Sequence, residues 1–159
     1  MNLSKHFTLE EFEKSQTATR KGIKNKAGSG EIKNLGDLCY EVLEPVRVKF
    51  DKPVTITSGY RSPELSEAIG SKATSQHCKG EAVDMEVIGV SNLQVALWIE
   101  NNLDFDQLIL EFWTGEANSG WIHVSYKDGS NRKQVLTYDG KSYTNGLPDA
   151  KWSDGKFAN

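Results

Sequence analysis

Ser75-Gln76-His77-Cys78-Lys79-Gly80-Glu81-Ala82-Val83-Asp84-Met85-Glu86-Val87 is the stretch on which the reading of the fold turns. Its second half alternates: Ala82, Asp84 and Glu86 share one face of a strand, while Val83, Met85 and Val87 share the other. One face suits a core and the other carries a carboxylate at its centre. Gly80 lets the chain bend between His77 and that strand. A strand with a buried side and a polar, working side is therefore expected here.

The same design recurs downstream. In Trp121 to Tyr126, residues Trp121, His123 and Ser125 oppose Ile122 and Val124. Gln107 to Trp113 reads as a strand with Gln107, Ile109 and Glu111 on one face and Leu108, Leu110 and Phe112 on the other. Lys133 to Tyr138 supplies another strand. Upstream, Val54 to Ser58 is β-branched and bounded by Pro53 and Gly59, again a strand. Helices are marked by their starts. Thr8 and Glu11 form a capping box, with Phe7 stapled to Phe12. Ser62-Pro63 opens a short helix, and Ser91 with Gln94 opens one that runs to about Asn102. A helix from about Glu31 to Glu44 buries Ile32, Leu35, Leu38, Cys39, Val42 and Leu43, with Pro45 limiting its end. Residues 16–30 read as a polar loop, and a turn-rich tail follows from Asp139. These elements predict an α+β domain: a mostly antiparallel sheet with N-terminal helices packed on it. One domain spans residues 1–159, with a core of about 3–138 and a tail of 139–159.

Composition fits that reading. The chain has 159 residues, 37% hydrophobic and 26% charged, and a net charge of −3, which is a globular balance that disfavours nucleic acid as a partner. The run Arg20, Lys21, Lys24 and Lys26 reads as a solvated loop. Cys39 belongs to a buried stripe, and with Cys78 it forms no disulfide framework, which suits a reducing compartment. The opening MNLSKHFTLEEF lacks the basic and apolar regions of a secretory signal. The apolar run from Gln107 to Trp113 is too short for a bilayer. The expected product is a monomer, cytoplasmic when made, without membrane or nucleic-acid partners.

His77, Asp84 and His123 are the residues that point to chemistry. Two imidazoles and a carboxylate suit Zn²⁺ with a fourth position left open for water, the mark of catalytic zinc. Alternatively, each is a polar residue satisfied by hydrogen bonds. Glu111 interrupts an apolar strand, where a carboxylate is expensive without a partner. It is either a general base for bound water or a carboxylate on a wet sheet face.

Thr57-Ser58-Gly59-Tyr60-Arg61-Ser62-Pro63, then Ser75-Gln76-His77 through Ala82-Val83-Asp84, then Trp121-Ile122-His123-Val124-Ser125, resemble the M15 peptidases. These are zinc D-Ala-D-Ala carboxypeptidases and L-Ala-D-Glu endopeptidases that share a fold with the Hedgehog signalling domain. The opening Leu3 to Phe12, with Ile32 to Leu43, looks like the branch common in tailed phages. The resemblance implies Zn²⁺ held by His77, Asp84 and His123, and Arg61 anchoring or polarising the substrate. It also implies Ser75 near the substrate. Otherwise, Arg61 forms a structural salt bridge and Ser75 is a turn residue. Gly120 stands where many relatives carry the acid of an E-x-x-H motif, so the base must come from elsewhere. Glu111 is the candidate and Glu116 the runner-up. Trp121, where some relatives carry a second histidine, either lines the substrate groove or packs on the sheet. Cys78 is taken as a bystander and His6 as a surface residue. The implied function is hydrolysis of peptidoglycan stem peptides, by carboxypeptidase or endolysin-like endopeptidase action. It would act on the cell wall after release or as part of a virion. The rival is a non-catalytic, zinc-stabilised wall-binding or virion structural module, since fold alone does not confer function.

Overall fold

The computed structural model describes residues 1–148 and the backbone of 151–153 and 156–158. The part of the turn-rich tail that falls on the remaining positions lies outside the described residues.

The chain begins with α1 (Leu9–Glu13), where the Thr8 amide donates to Glu11 Oε2 at 2.7 Å and the Phe7 and Phe12 ring centroids lie 6.2 Å apart. The capping box and staple are thus formed as the sequence indicates. The expected loop over residues 16–30 contains instead α2 (Gln16–Lys21), capped by the Ser15 hydroxyl at its start and by left-handed Gly22 at its end. This helix has only one buried residue, Ala18. It carries no apolar stripe to betray it, and its caps hold it in place.

The second predicted helix is longer than the sequence indicates. α3 (Ser29–Leu38) passes through a π-helical turn, Cys39–Leu43, directly into α4 (Glu44–Phe50). Pro45 does not end the helix. The Glu44 amide reaches back to the Cys39 carbonyl, and widening the helix just before a proline relieves the clash its ring makes with the preceding turn.

After β1 (Val54–Ser58) come α5 (Pro63–Ala68), a 3₁₀ turn at Gln76–Lys79, β2 (Ala82–Val87) and α6 (Asn92–Asn102). The strands β3 (Gln107–Glu111), β4 (Trp121–Ser125), β5 (Gln134–Tyr138) and β6 (Tyr143–Asn145) complete a six-stranded sheet in the order β1-β2-β4-β3-β5-β6. All its pairs are antiparallel except β3 with β5. A separate hairpin joins β7 (Lys151–Ser153) to β8 (Lys156–Ala158).

Sheet alternation divides the molecule. Val83, Met85, Ile122, Val124 and Leu108 are fully buried and share one core with Leu35, Leu38, Val42 and Val46 of the long helix and Val95, Ala96 and Ile99 of α6. The helices therefore cover the apolar face, leaving the polar alternates to form a site on the other. No helix among the described residues is long and apolar enough to cross a membrane.

Candidate metal centre

Register brings the predicted residues together. Asp84 on β2 pairs with His123 on β4, which pairs on its other side with Ile109 of β3. Glu111 pairs with Trp121, one alternation further along the same face. His77 comes from the 3₁₀ turn before β2, begun by Ser75, whose hydroxyl accepts the His77 amide at 3.2 Å. Gly80 ends that turn at φ 73, and a Cβ there would collide with the Glu31 carbonyl. Only glycine lets the turn lie this close to α3.

The donor atoms of His77, Asp84 and His123 all lie within 4.8 Å of one another. His77 is buried, and its Nδ1–H donates to the Gly59 carbonyl at 2.8 Å. That bond fixes the tautomer and aims the Nε2 lone pair at Asp84 Oδ1, 3.5 Å away. Burial pushes the His77 pKa down, favouring the neutral ring, although Asp84 opposes this. A neutral imidazole nitrogen facing a carboxylate oxygen sets two electron-pair donors against each other, an arrangement that a cation between them would satisfy. His123 Nδ1 lies 3.0 Å from the same oxygen. Burial opposes ionisation of Asp84. The hydrogen bond with His123 outweighs this, and Asp84's pKa is held far below the usual carboxylate range. The donor set fits zinc in chemistry and number.

Arg61 follows β1. Its guanidinium donates through Nε to the Ser58 hydroxyl at 3.2 Å and places Nη2 3.7 Å from Asp84 Oδ2. A cavity of about 480 Å³ lies over the cluster, lined by Arg61, Ser75, His77, Asp84, Glu111, Phe112, Trp121 and His123 among others. The three expected metal ligands, Arg61, Ser75, Trp121 and the first candidate base, Glu111, thus line one cavity. Glu116 is exposed in the loop beyond it and is not part of that lining. The Cys78 thiol turns to the Lys72 carbonyl at 3.8 Å, outside the donor cluster. His6 pairs with Glu44 at 2.6 Å, away from the site.

Burial pushes the Glu111 pKa up, and neighbouring Asp84 adds to the rise, against the pull of His123 and Arg61. Gly120 has φ 66, and a Cβ there would run into the Glu111 carbonyl oxygen. No side chain fits at that position, so an acid cannot stand there as it does in an E-x-x-H motif. One expectation about this region fails. Strict alternation places Phe112 on the face away from Glu111, yet its ring stacks on Trp121 with centroids 4.9 Å apart. The cause is its left-handed backbone, φ 53, which ends β3 and breaks the alternation, so that Glu111 and Phe112 both face the cavity.

Sequence reasoning also missed the support beneath His77. Asp106, 1% exposed, accepts Gln76 Nε2 at 3.0 Å and receives Arg132 through its side chain at 2.9 and 3.1 Å and its amide at 3.1 Å. The only sequence signal was an acid next to an apolar strand start.

The chain belongs to the Peptidase M15 family, whose model matches residues 5–125. That span reaches from before α1 to the end of β4 and takes in the His77, Asp84 and His123 cluster, Arg61 and Glu111. No curated protein matches the chain.

Proposed function

We propose that this chain hydrolyses stem peptides of peptidoglycan, with zinc held by His77, Asp84 and His123 and Glu111 as the general base. The observation that carries the reading is the placement of Glu111. A carboxylate with a raised pKa shares a cavity with three converging metal donors and a guanidinium. Zinc, when bound, supplies Lewis acidity toward the scissile carbonyl and makes a water acidic enough to lose its proton near neutral pH. Glu111 accepts that proton and delivers it to the departing amine nitrogen, a task suited to a carboxyl whose proton affinity is raised. Arg61, held by Ser58 and Asp84, presents donors to a substrate carboxylate or to the carbonyl oxygen as negative charge grows on it. Ser75 and Trp121 border the same space and orient the peptide.

Mass spectrometry of peptidoglycan after incubation with the zinc-loaded protein tests this, beside a Glu111→Ala control. New peptide fragments absent from the control are expected, and their masses separate carboxypeptidase from endopeptidase cleavage. Stoichiometric zinc without any fragment, across walls of several crosslink types, would instead favour the non-catalytic wall-binding module.

A further inference from the structure

The cavity over the metal cluster has walls of opposite character. On one side stands Arg61, which also lines a second cavity of about 380 Å³ together with Lys14, Ser15, Gln16 and Tyr60. On the other side Phe112 and Trp121 begin a row of rings. Trp121 and Phe112 stack at 4.9 Å, Phe112 meets Tyr138 edge-on at 5.1 Å, and Tyr138 stacks on Tyr143 at 4.4 Å. Register places the row on the metal face. Trp121 lies two residues from His123, Tyr138 lies two from Leu136, which is level with Ile109, and Tyr143 is opposite Tyr138. The row thus runs from the metal cavity across β4, β3 and β5 to the edge strand β6. It is poorly explained by folding. Phe112 is 42% and Tyr143 58% exposed, and Phe112 holds an unfavourable left-handed backbone while gaining little burial. Strain of this kind persists where the placement of a side chain matters.

We propose that this aromatic row is a saccharide subsite that seats the glycan to which a stem peptide is attached. The chain then prefers glycan-linked peptide to free peptide. The inference rests on the peptidoglycan reading above. The row consists of uncharged side chains, and the carboxylate at its root, Glu111, disfavours an acidic segment. The carboxylates of a stem peptide are matched instead by the Arg61 and Lys14 side. A pyranose linked to peptide through an amide is neutral and offers C–H faces to rings and hydroxyls to the tyrosines, a pairing suited to amphipathic aromatics. An extended peptide presents side chains to one face only about every 6.8 Å. The ring steps are shorter, so the rings form one continuous strip of edges, outer faces and tyrosine hydroxyls rather than separate side-chain pockets.

The test titrates a neutral N-acetylglucosamine tetrasaccharide into the zinc-loaded protein, followed by calorimetry and tryptophan fluorescence. Hydrolysis of a disaccharide-linked stem peptide is compared in parallel with the same peptide lacking sugar. Saturable binding is expected, weakened about tenfold in Phe112→Ala and in Tyr143→Ala, the loss of one aromatic contact of about 1.4 kcal/mol. Tyr143→Ala lies on an edge strand, so it keeps the test valid if Phe112→Ala fails to fold. A preference for the sugar-linked peptide is expected in wild type and diminished in both variants. Absence of saturable binding by folded protein, or binding that survives both substitutions, overturns the subsite. Binding without cleavage of either peptide overturns the peptidase reading and leaves the subsite standing. Cleavage of free peptide without saccharide binding does the reverse.

Discussion

At position 111 the chain holds a carboxylate at a cost to its own stability. The folded-state pKa of Glu111 is raised, chiefly by burial, so the native state binds its proton more tightly than the unfolded chain does. Stability must then fall as pH rises from the ordinary carboxylate range through the raised value. Glu111→Gln removes that loss. The metal-free variant is expected to melt above wild type at pH 7, with the gap closing below the carboxylate range; supplied with zinc, the variant is expected to bind it as wild type does while losing turnover. A variant that melts lower at pH 7 would mean that the charge is structurally paired. Gly120 supplies the complementary case. Restoring an acid there by Gly120→Glu forces a side chain onto left-handed backbone and into the Glu111 carbonyl. It should cost about 3 kcal/mol, read as an earlier denaturation midpoint, and should not rescue Glu111→Gln.

The 3₁₀ turn that presents His77 has little structure of its own and is held from outside. Gln76 ties it to Asp106, just before β3, and Arg132 ties Asp106 to the approach to β5. Asp106→Ala is expected to destabilise the fold by about 2 kcal/mol, since it removes the shared acceptor of Gln76 Nε2, the Arg132 amide and the Arg132 guanidinium. Gln76→Ala should leave the unfolding temperature nearly unchanged yet weaken zinc binding roughly tenfold or more, measured by competition with a chromophoric chelator. Unaltered affinity would reduce Gln76 to a packing residue. Elements of this kind mark where sequence reading stops. Asp84 and His123 announced their shared face through period-two alternation, and Thr8 with Glu11 announced a helix start, because both signals are local. The Asp106 tie and the end of β3 at left-handed Phe112, where the Trp113 amide bonds to the Tyr138 carbonyl, involve neighbours distant in sequence, whereas the π-helical turn is local but sits before a proline that reads as a helix end. Alternation therefore sent Phe112 to the wrong face, and α2 was missed because its caps carry a helix with almost no apolar stripe.

Across the whole molecule the sheet is a partition, with helices packed on its apolar face and charge gathered on the other. In the absence of metal, that second face holds a depressed-pKa carboxylate between two imidazoles and a guanidinium. Asp84 therefore contributes stability above the ordinary carboxylate range, which is lost as pH falls through and below it. Zinc bound here as proposed needs the same ionised Asp84 together with neutral imidazoles, so its binding weakens as acid protonates these ligands. At a free concentration about a thousandfold above its Kd, zinc stabilises the native state by about 4 kcal/mol, worth roughly 8–16 °C in a domain of this size. Chelation at pH 7.5 is expected to lower the unfolding temperature by that order. The difference between zinc-loaded and chelated protein should shrink toward zero as pH falls into the acid range and the ligands are protonated. His123→Ala should abolish the difference at every pH. A gap that persists in acid, or in His123→Ala, would place the stabilising ion elsewhere and separate the cluster from both the stability and the chemistry assigned to it.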